Sequence, residues 1–96
     1  MSQVVDETDE DRFVLTEDGV DARLVYRRIG NRLELLHTAV PEELSGRGIG
    51  GRLVEAALAS AAAVGETLVP YCPFARSWLE RHPDAASTVT IRWPSA

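Results

Sequence analysis

The chain has 96 residues, of which 45% are hydrophobic and 26% charged, so it has room for one small domain with a single core. Its formal net charge is −5 and all ten cationic side chains are arginines, which argues against nonspecific binding of nucleic acid. The single cysteine rules out an internal disulfide and a multi-cysteine metal site.

The same composition limits where the protein is expected to be located and what it is expected to bind. No apolar run approaches the ~20 residues of a membrane span, and the acidic N-terminus lacks the basic and apolar regions of a signal peptide. With one cysteine, this predicts a cytoplasmic monomer that binds neither membranes nor nucleic acid. An acidic surface would attract a cationic substrate such as an amine, although such a surface is equally often a solubility device.

The first half of the chain is predicted to be an antiparallel meander. Residues 1–11 are acidic and are expected to form a flexible tail, with one compact domain over residues 12–96. Three strand-like segments follow, RFVLTE, VDARLVYRRI and RLELLHTAV, the last ending at Val40 before a proline. The pairs Asp18 with Gly19 and Gly30 with Asn31 are turn signals between them.

The second half is predicted to be helix, strand and helix. Apolar residues recur at helical spacing from Leu53 to Val64, and Gly65 is suited to end that helix. ETLVPY then predicts a strand, and PFARSWLERH predicts an amphipathic helix with Pro73 in its first turn. STVTIRW is a candidate final strand at an edge. The expected fold is α/β, with a mixed, mainly antiparallel sheet in the order β-β-β-α-β-α flanked by two helices.

Four of the seven glycines lie within six residues, directly before the first predicted helix. These are Gly46, Gly48, Gly50 and Gly51. They allow successive backbone N–H groups to point inward at a helix N-terminus, which favours an anion such as pyrophosphate. Arg47 and Arg52 could add positive charge. The alternative interpretation is that the glycines only form a tight turn at the start of the helix.

Two other phosphate-binding loops do not fit this segment. The lysine followed by serine or threonine of a Walker A loop is missing. Three of the glycines match the G-x-G-x-x-G spacing, but the strands before them form a meander rather than the βαβ unit of a dinucleotide-binding fold.

The segment VPEELSGRGIGGRLVEAAL resembles the pyrophosphate-binding segment of the GNAT N-acetyltransferases, whose signature is Q/R-x-x-G-x-G/A. More narrowly, LLHTAVPEELSGRGIG followed by VPYCPFARSWLERHP is similar to the compact, single-domain YjdJ-type branch, and the likeness spans residues 13–83. The resemblance implies a GNAT-like fold and transfer of an acetyl group from acetyl-CoA, as cosubstrate, to a primary amine on a small molecule or a protein. The first signature position falls on Ser45 instead of glutamine or arginine, which bears on the affinity for coenzyme A.

The resemblance also implies where the coenzyme binds. The third strand would pair with the pantetheine arm where it diverges from the fourth, and backbone amides of residues 38–40 would stabilise the oxyanion. The glycine loop would hold the pyrophosphate. The implied coenzyme-binding residues are Thr38, Ala39, Val40, Ser45, Gly46, Arg47, Gly48, Ile49, Gly50, Gly51 and Arg52, and no metal is expected.

Cys72 is the main candidate for a catalytic residue. Pro73 leaves it at the N-cap of the second predicted helix, where unpaired amides and the helix dipole lower a thiol pKa. In the compact branch this cysteine is the suspected catalytic residue, either as a base for the amine or as a transient acyl carrier. The alternative is an inert buried thiol. His37 is a weaker candidate, because its place on the strand with Leu33 and Leu35 also fits a partly buried structural histidine.

Two further functions are compatible with the sequence. A noncatalytic CoA- or acyl-CoA-binding module, acting as a sensor or adaptor, fits the serine at position 45, the lack of an obvious carboxylate base and the small size. A thiol-based redox protein fits less well, because no second cysteine could resolve an oxidised Cys72.

Overall fold

The computed structural model describes residues 3–95, so Met1, Ser2 and Ala96 lie outside the described residues. The strands are β1 (Val5–Glu7), β2 (Arg12–Glu17), β3 (Val20–Ile29), β4 (Arg32–Ala39) and β5 (Thr67–Pro70). The helices are α1 (Ile49–Val64), α2 (Pro73–Arg81) and α3 (Pro83–Ala86). The strands form one sheet in chain order, in which the first four are antiparallel and β5 is parallel to β4. The predicted mixed, mainly antiparallel sheet is confirmed.

The β2–β3 hairpin follows from its two turn residues. Asp18 and Gly19 both have positive φ, 54° and 73°, and Glu17 pairs with Val20 across the turn. Two residues of that conformation match the right-handed twist of the flanking strands. The register they set places the alternating apolar residues of β3 on one face of the sheet.

A single core lies between that face and the helices α1 and α2. The strands contribute Phe13, Leu15, Ala22, Leu24, Tyr26, Leu33, Leu35 and Leu68. The two helices contribute Leu53, Val54, Ala57, Leu58, Ala61, Ala75, Trp78 and Leu79. Each large side chain buried in this way contributes about 1.5–3 kcal/mol. Within residues 3–95, no helix is both long enough and apolar enough to cross a bilayer.

The opposite face of the sheet buries one carboxylate. Glu34 is only 1% exposed and lies between two arginines. Its Oε1 is 2.6 Å from Nη2 of Arg27, and its Oε2 is 3.6 Å from Nη2 of Arg32. The buried charge is therefore compensated by half-exposed guanidinium groups that keep contact with water.

The N-terminal segment corrects the prediction of a flexible tail over residues 1–11. β1 pairs with β2 from Val5 onward, and a 3-10 turn follows over Thr8–Glu10. The hydroxyl of Tyr26 donates a hydrogen bond to Asp6 at 2.5 Å, and Nε of Arg12 lies 2.7 Å from Oε1 of Glu7. The acidic composition suggested disorder, but both carboxylates have partners, Asp6 from a strand 20 residues away and Glu7 from the start of β2. The first two residues of the predicted tail lie outside the described residues.

The C-terminal segment also differs from the prediction. A third helix, α3, follows α2, and the candidate final strand is reduced to one parallel bridge between Leu68 and Ile91. Leu68 donates to the carbonyl of Thr90 and accepts from the N–H of Arg92, both at 2.9 Å. Pro94 then lacks the N–H group that a longer ladder would need.

Candidate active site

The sheet opens where β4 and β5 diverge. Their pairing ends at Leu35 with Pro70, and the N–H of Cys72 still donates to the carbonyl of Leu35 at 2.9 Å. β4 continues to Ala39, so its last residues have no strand beside them on that side within the described chain. An extended ligand could pair with this open edge.

A β-bulge lies in the same part of β4. Tyr26 pairs with Leu35, but Val25 pairs with His37, so Leu36 is an extra residue with no partner in β3. A bulge changes the face to which the following side chains point. Thr38, which pairs with the core residue Leu24, consequently faces the helices.

This rotation brings Thr38 to Cys72. The hydroxyl of Thr38 lies 3.2 Å from Sγ of Cys72, and either atom can donate the hydrogen bond. Cys72 is the N-cap of α2 in an extended conformation, with Pro73 as the first helical residue, which is its predicted place. The thiol is nearly enclosed, since Cys72 is 3% exposed.

His37 does not join this pair. We expected it to share the parity of Leu33 and Leu35 and to be partly buried, and that expectation is wrong. Because Leu36 is an extra residue, His37 is exposed and alternates with Thr38, so it points to the opposite face of the sheet. Among residues 3–95, no three His, Cys, Asp or Glu side chains converge on a possible metal site.

The glycine loop presents N–H groups that have no acceptor. A 3-10 turn over Glu42–Leu44 leads to Gly46 and Gly48, whose φ angles are 77° and 73°. Gly48 is the N-cap of α1, so the first N–H groups of the helix have no intrahelical partner. Within residues 3–95, no carbonyl or side chain accepts a hydrogen bond from the N–H groups of residues 46–51.

Gly50 and Gly51 also have a packing role, which was not predicted from the sequence. Both are helical, and a Cβ on Gly50 would lie 2.5 Å from Cζ of Phe74. A Cβ on Gly51 would lie 2.5 Å from Nε1 of Trp78. These two glycines therefore allow α2 to approach the first turn of α1, whereas the unusual backbone of the loop depends on Gly46 and Gly48.

Arg47 is held by the β2–β3 turn. Its Nη1 lies 2.9 Å from Oδ2 of Asp18 and 3.2 Å from Oε2 of Glu17. The hydrogen bond to Asp18, followed by that to Glu17, raises the pKa of the Arg47 guanidinium above its ordinary value. The side chain thus anchors the loop to the hairpin, with its charge balanced by two carboxylates. Ser45 is exposed and extended, and Arg52 is half-buried in the first turn of α1.

A cleft of about 400 Å³ lies between the glycine loop and α2. Its loop side is formed by Val40 and by residues 44–46 and 48–51. Its α2 side is formed by Phe74, Trp78, Arg81 and His82. The imidazole of His82 stacks on the indole of Trp78, with ring centroids 3.9 Å apart and planes 14° apart.

The α2 side of the cleft was missed in the sequence. The helical spacing of Phe74 and Trp78 favours core positions, and the place of His82 suits a helix C-terminus. Trp78 does belong to the core, but all three side chains also line the cleft. The spacing of residues 74, 78 and 82 places them on one helix face, which is the signal that could have identified a shared wall. The sequence alone does not show that the glycine loop faces these side chains.

Comparison with known proteins identifies the family to which this architecture is similar. A model of the GCN5-related N-acetyl-transferase family matches residues 12–88. A search of curated proteins gives no match. The chain is similar to the NMR solution structure of a candidate GCN5-like N-acetyltransferase from Staphylococcus aureus, with a TM-score of 0.73, 24% identity and coverage of 97% of this chain and 90% of that chain. At this identity the structural likeness concerns the fold alone. The predicted family resemblance and GNAT-like fold are confirmed.

Proposed function

The chain belongs to the GCN5-related N-acetyltransferase family, and from that premise we propose that it transfers an acetyl group from acetyl-CoA to a primary amine on a small molecule or a protein. One observation carries this proposal. The N–H groups of residues 46–51 have no acceptor within the described chain, and all of these residues except Arg47 line a cleft beside the end of β4.

The loop suits the pyrophosphate of coenzyme A. Its free N–H groups and the N-terminus of the 16-residue helix α1 form a site of positive potential. Gly46 and Gly48 adopt a backbone that other residues rarely adopt, which allows neighbouring N–H groups to converge. None of the described residues that line the cleft is an aspartate or a glutamate. With Arg47 bound to the hairpin, Ser45 contributes a neutral hydroxyl where the signature has a longer polar or charged side chain.

The open edge of β4 suits the pantetheine arm. A thioester at the end of that arm would lie near the divergence of β4 and β5, beside Thr38 and Cys72. N–H groups of residues 38–40 would stabilise the oxyanion that forms as the amine attacks the carbonyl carbon. The new C–N bond forms, the C–S bond breaks, and the coenzyme leaves as a thiolate that takes up a proton.

Cys72 has two possible roles in this reaction. As a base, its thiolate would take the proton of the attacking ammonium group; as a nucleophile, it would carry the acetyl group before the amine does. A hydrogen bond donated by the Thr38 hydroxyl at 3.2 Å would stabilise the thiolate in either role.

The experiment measures release of coenzyme A from acetyl-CoA in the presence of a panel of primary amines. We expect turnover by the wild-type chain and its loss in Cys72→Ser, with Thr38→Ser as a matched variant that keeps the hydroxyl. Intact mass spectrometry without amine separates the two roles, because only an acyl carrier gains one acetyl group. If the wild-type chain binds coenzyme A but transfers acetyl to no amine, the catalytic proposal is wrong.

The alternative is a noncatalytic CoA-binding module. The burial of Cys72, at 3% exposure, favours it, because an enclosed thiol cannot reach an incoming amine without movement. Such a module would bind coenzyme A through residues 46–51 and leave acetyl-CoA intact in the same assay. The amine acceptor, the monomeric state and the cytoplasmic location stay predictions.

A further inference from the structure

The α2 side of the cleft carries one permanently charged side chain, that of Arg81. Its Nε donates to the carbonyl of Ser77 at 3.3 Å, and it forms no salt bridge within residues 3–95. Arg47, by contrast, is bound by two carboxylates of the β2–β3 turn. The charge of Arg81 is therefore available to an anion in the cleft.

The position of Arg81 along α2 is defined by three contacts. Cys72 caps the helix at the divergence of β4 and β5, and Phe74 and Trp78 then face the first turn of α1. Arg81 follows almost one turn later, at about 13 Å from Cys72 along the helix axis at a rise of about 1.5 Å per residue. It therefore lies beyond the glycine loop, at the end of the cleft remote from the thiol.

The order of these groups corresponds to the order of groups in coenzyme A. The thiol arm is followed by the pyrophosphate and then by an adenosine whose ribose carries a third phosphate on its 3′ oxygen. A pyrophosphate at residues 46–51 with its thiol arm directed to Cys72 would send the adenosine toward Arg81.

We propose that Arg81 binds the 3′-phosphate of coenzyme A, beside the stacked rings of Trp78 and His82. A guanidinium group fits a phosphate with two parallel hydrogen bonds, which an ammonium group cannot reproduce. The inference rests on the proposed function, because it requires coenzyme A in this cleft. Under this proposal, the Arg81 side chain is the reason why the chain prefers coenzyme A to its 3′-dephospho form.

The test compares binding of coenzyme A and 3′-dephospho-coenzyme A by isothermal titration calorimetry. For the wild-type chain we expect coenzyme A to bind about tenfold more tightly than 3′-dephospho-coenzyme A. This ratio corresponds to the binding free energy of one charge-assisted hydrogen-bonding pair at a solvated site. Arg81→Gln should bind the two ligands equally, by losing affinity only for coenzyme A. Arg81→Lys should retain part of the preference. Arg47→Gln is the control and should weaken both ligands to the same extent, because it loosens the loop.

The outcomes separate this inference from the proposed function. If the wild-type chain binds both ligands equally, or if Arg81→Gln weakens both equally, the assignment of the 3′-phosphate is wrong while binding of coenzyme A stands. If the wild-type chain binds neither ligand, both proposals fail. Arg81 is exposed on the last turn of α2, so the variant is expected to fold, and far-UV circular dichroism checks this.

Discussion

The contact between α1 and α2 leads to a prediction about Gly51. In Gly51→Ala, the new methyl group would lie 2.5 Å from Nε1 of Trp78, whereas ordinary contact begins at 3.4 Å. Trp78 is 9% exposed and its ring is stacked on that of His82. The indole is thus mostly buried and held by its stacking on His82, so we expect α2 to move away from α1 in this variant.

The expected cost can be worked out from two opposing terms. Overpacking of this kind costs about 1–3 kcal/mol. Replacing a helical glycine by alanine contributes about 0.5–1 kcal/mol in the opposite direction. We therefore expect Gly51→Ala to lower the free energy of unfolding by about 1–2 kcal/mol.

Gly50→Ala is the matched control. Its methyl group would also lie 2.5 Å from an aromatic atom, Cζ of Phe74, but Phe74 is 39% exposed and its ring can rotate into solvent. Its net effect should stay within about 0.5 kcal/mol of the wild-type chain. Urea unfolding followed by far-UV circular dichroism measures both variants. If Gly51→Ala proves as stable as Gly50→Ala, the packing argument is refuted.

Three further predictions concern other parts of the chain. Burial and, secondly, the hydrogen bond to Asp6 raise the pKa of Tyr26 to about 12 from 10.0. Because the folded chain holds that proton more tightly than the unfolded chain, the resulting stabilisation is complete below pH 10 and is lost as the pH rises toward about 12. Urea unfolding at several pH values should show this loss of stability in the wild-type chain and not in Tyr26→Phe. Glu34→Gln should lower the free energy of unfolding by about 1–2 kcal/mol, because a buried charged hydrogen-bond acceptor is lost, while Glu55→Gln, exposed on α1, should have no measurable effect in the same assay. Gly48→Ala, at a φ of 73°, should cost about 1 kcal/mol and weaken binding of coenzyme A in calorimetry, unless the loop does not hold the pyrophosphate.

Local signals predicted most of the architecture. Asp18 with Gly19 specified the first hairpin, and Gly65 ends α1 with the expected left-handed conformation at φ 71°. Pro73 placed Cys72 at the N-cap of α2. In each case, the residue that determines the backbone conformation is the residue that adopts it, so a short window of sequence contains the cause.

What could not be predicted depends on partners far apart in the chain. β1 depends on contacts such as that between Asp6 and Tyr26, which are 20 residues apart. The bulge at Leu36 reverses the face of His37, and its neighbours in sequence give no sign of it. The carboxylates that bind Arg47 lie 29 and 30 residues away. Composition and periodicity do not report such pairings, because each is fixed only when the strands are brought together.

The two edges of the sheet affect how the protein behaves at high concentration. A strand with unpaired backbone groups is a template on which another molecule can add a strand, and this is how many β proteins begin to aggregate. Here one margin is the three-residue β1, with two acidic side chains, and the other is covered by the single bridge at Ile91. Neither margin offers a long, flat, uncharged template, so concentrated samples should resist fibril formation as long as the native sheet persists.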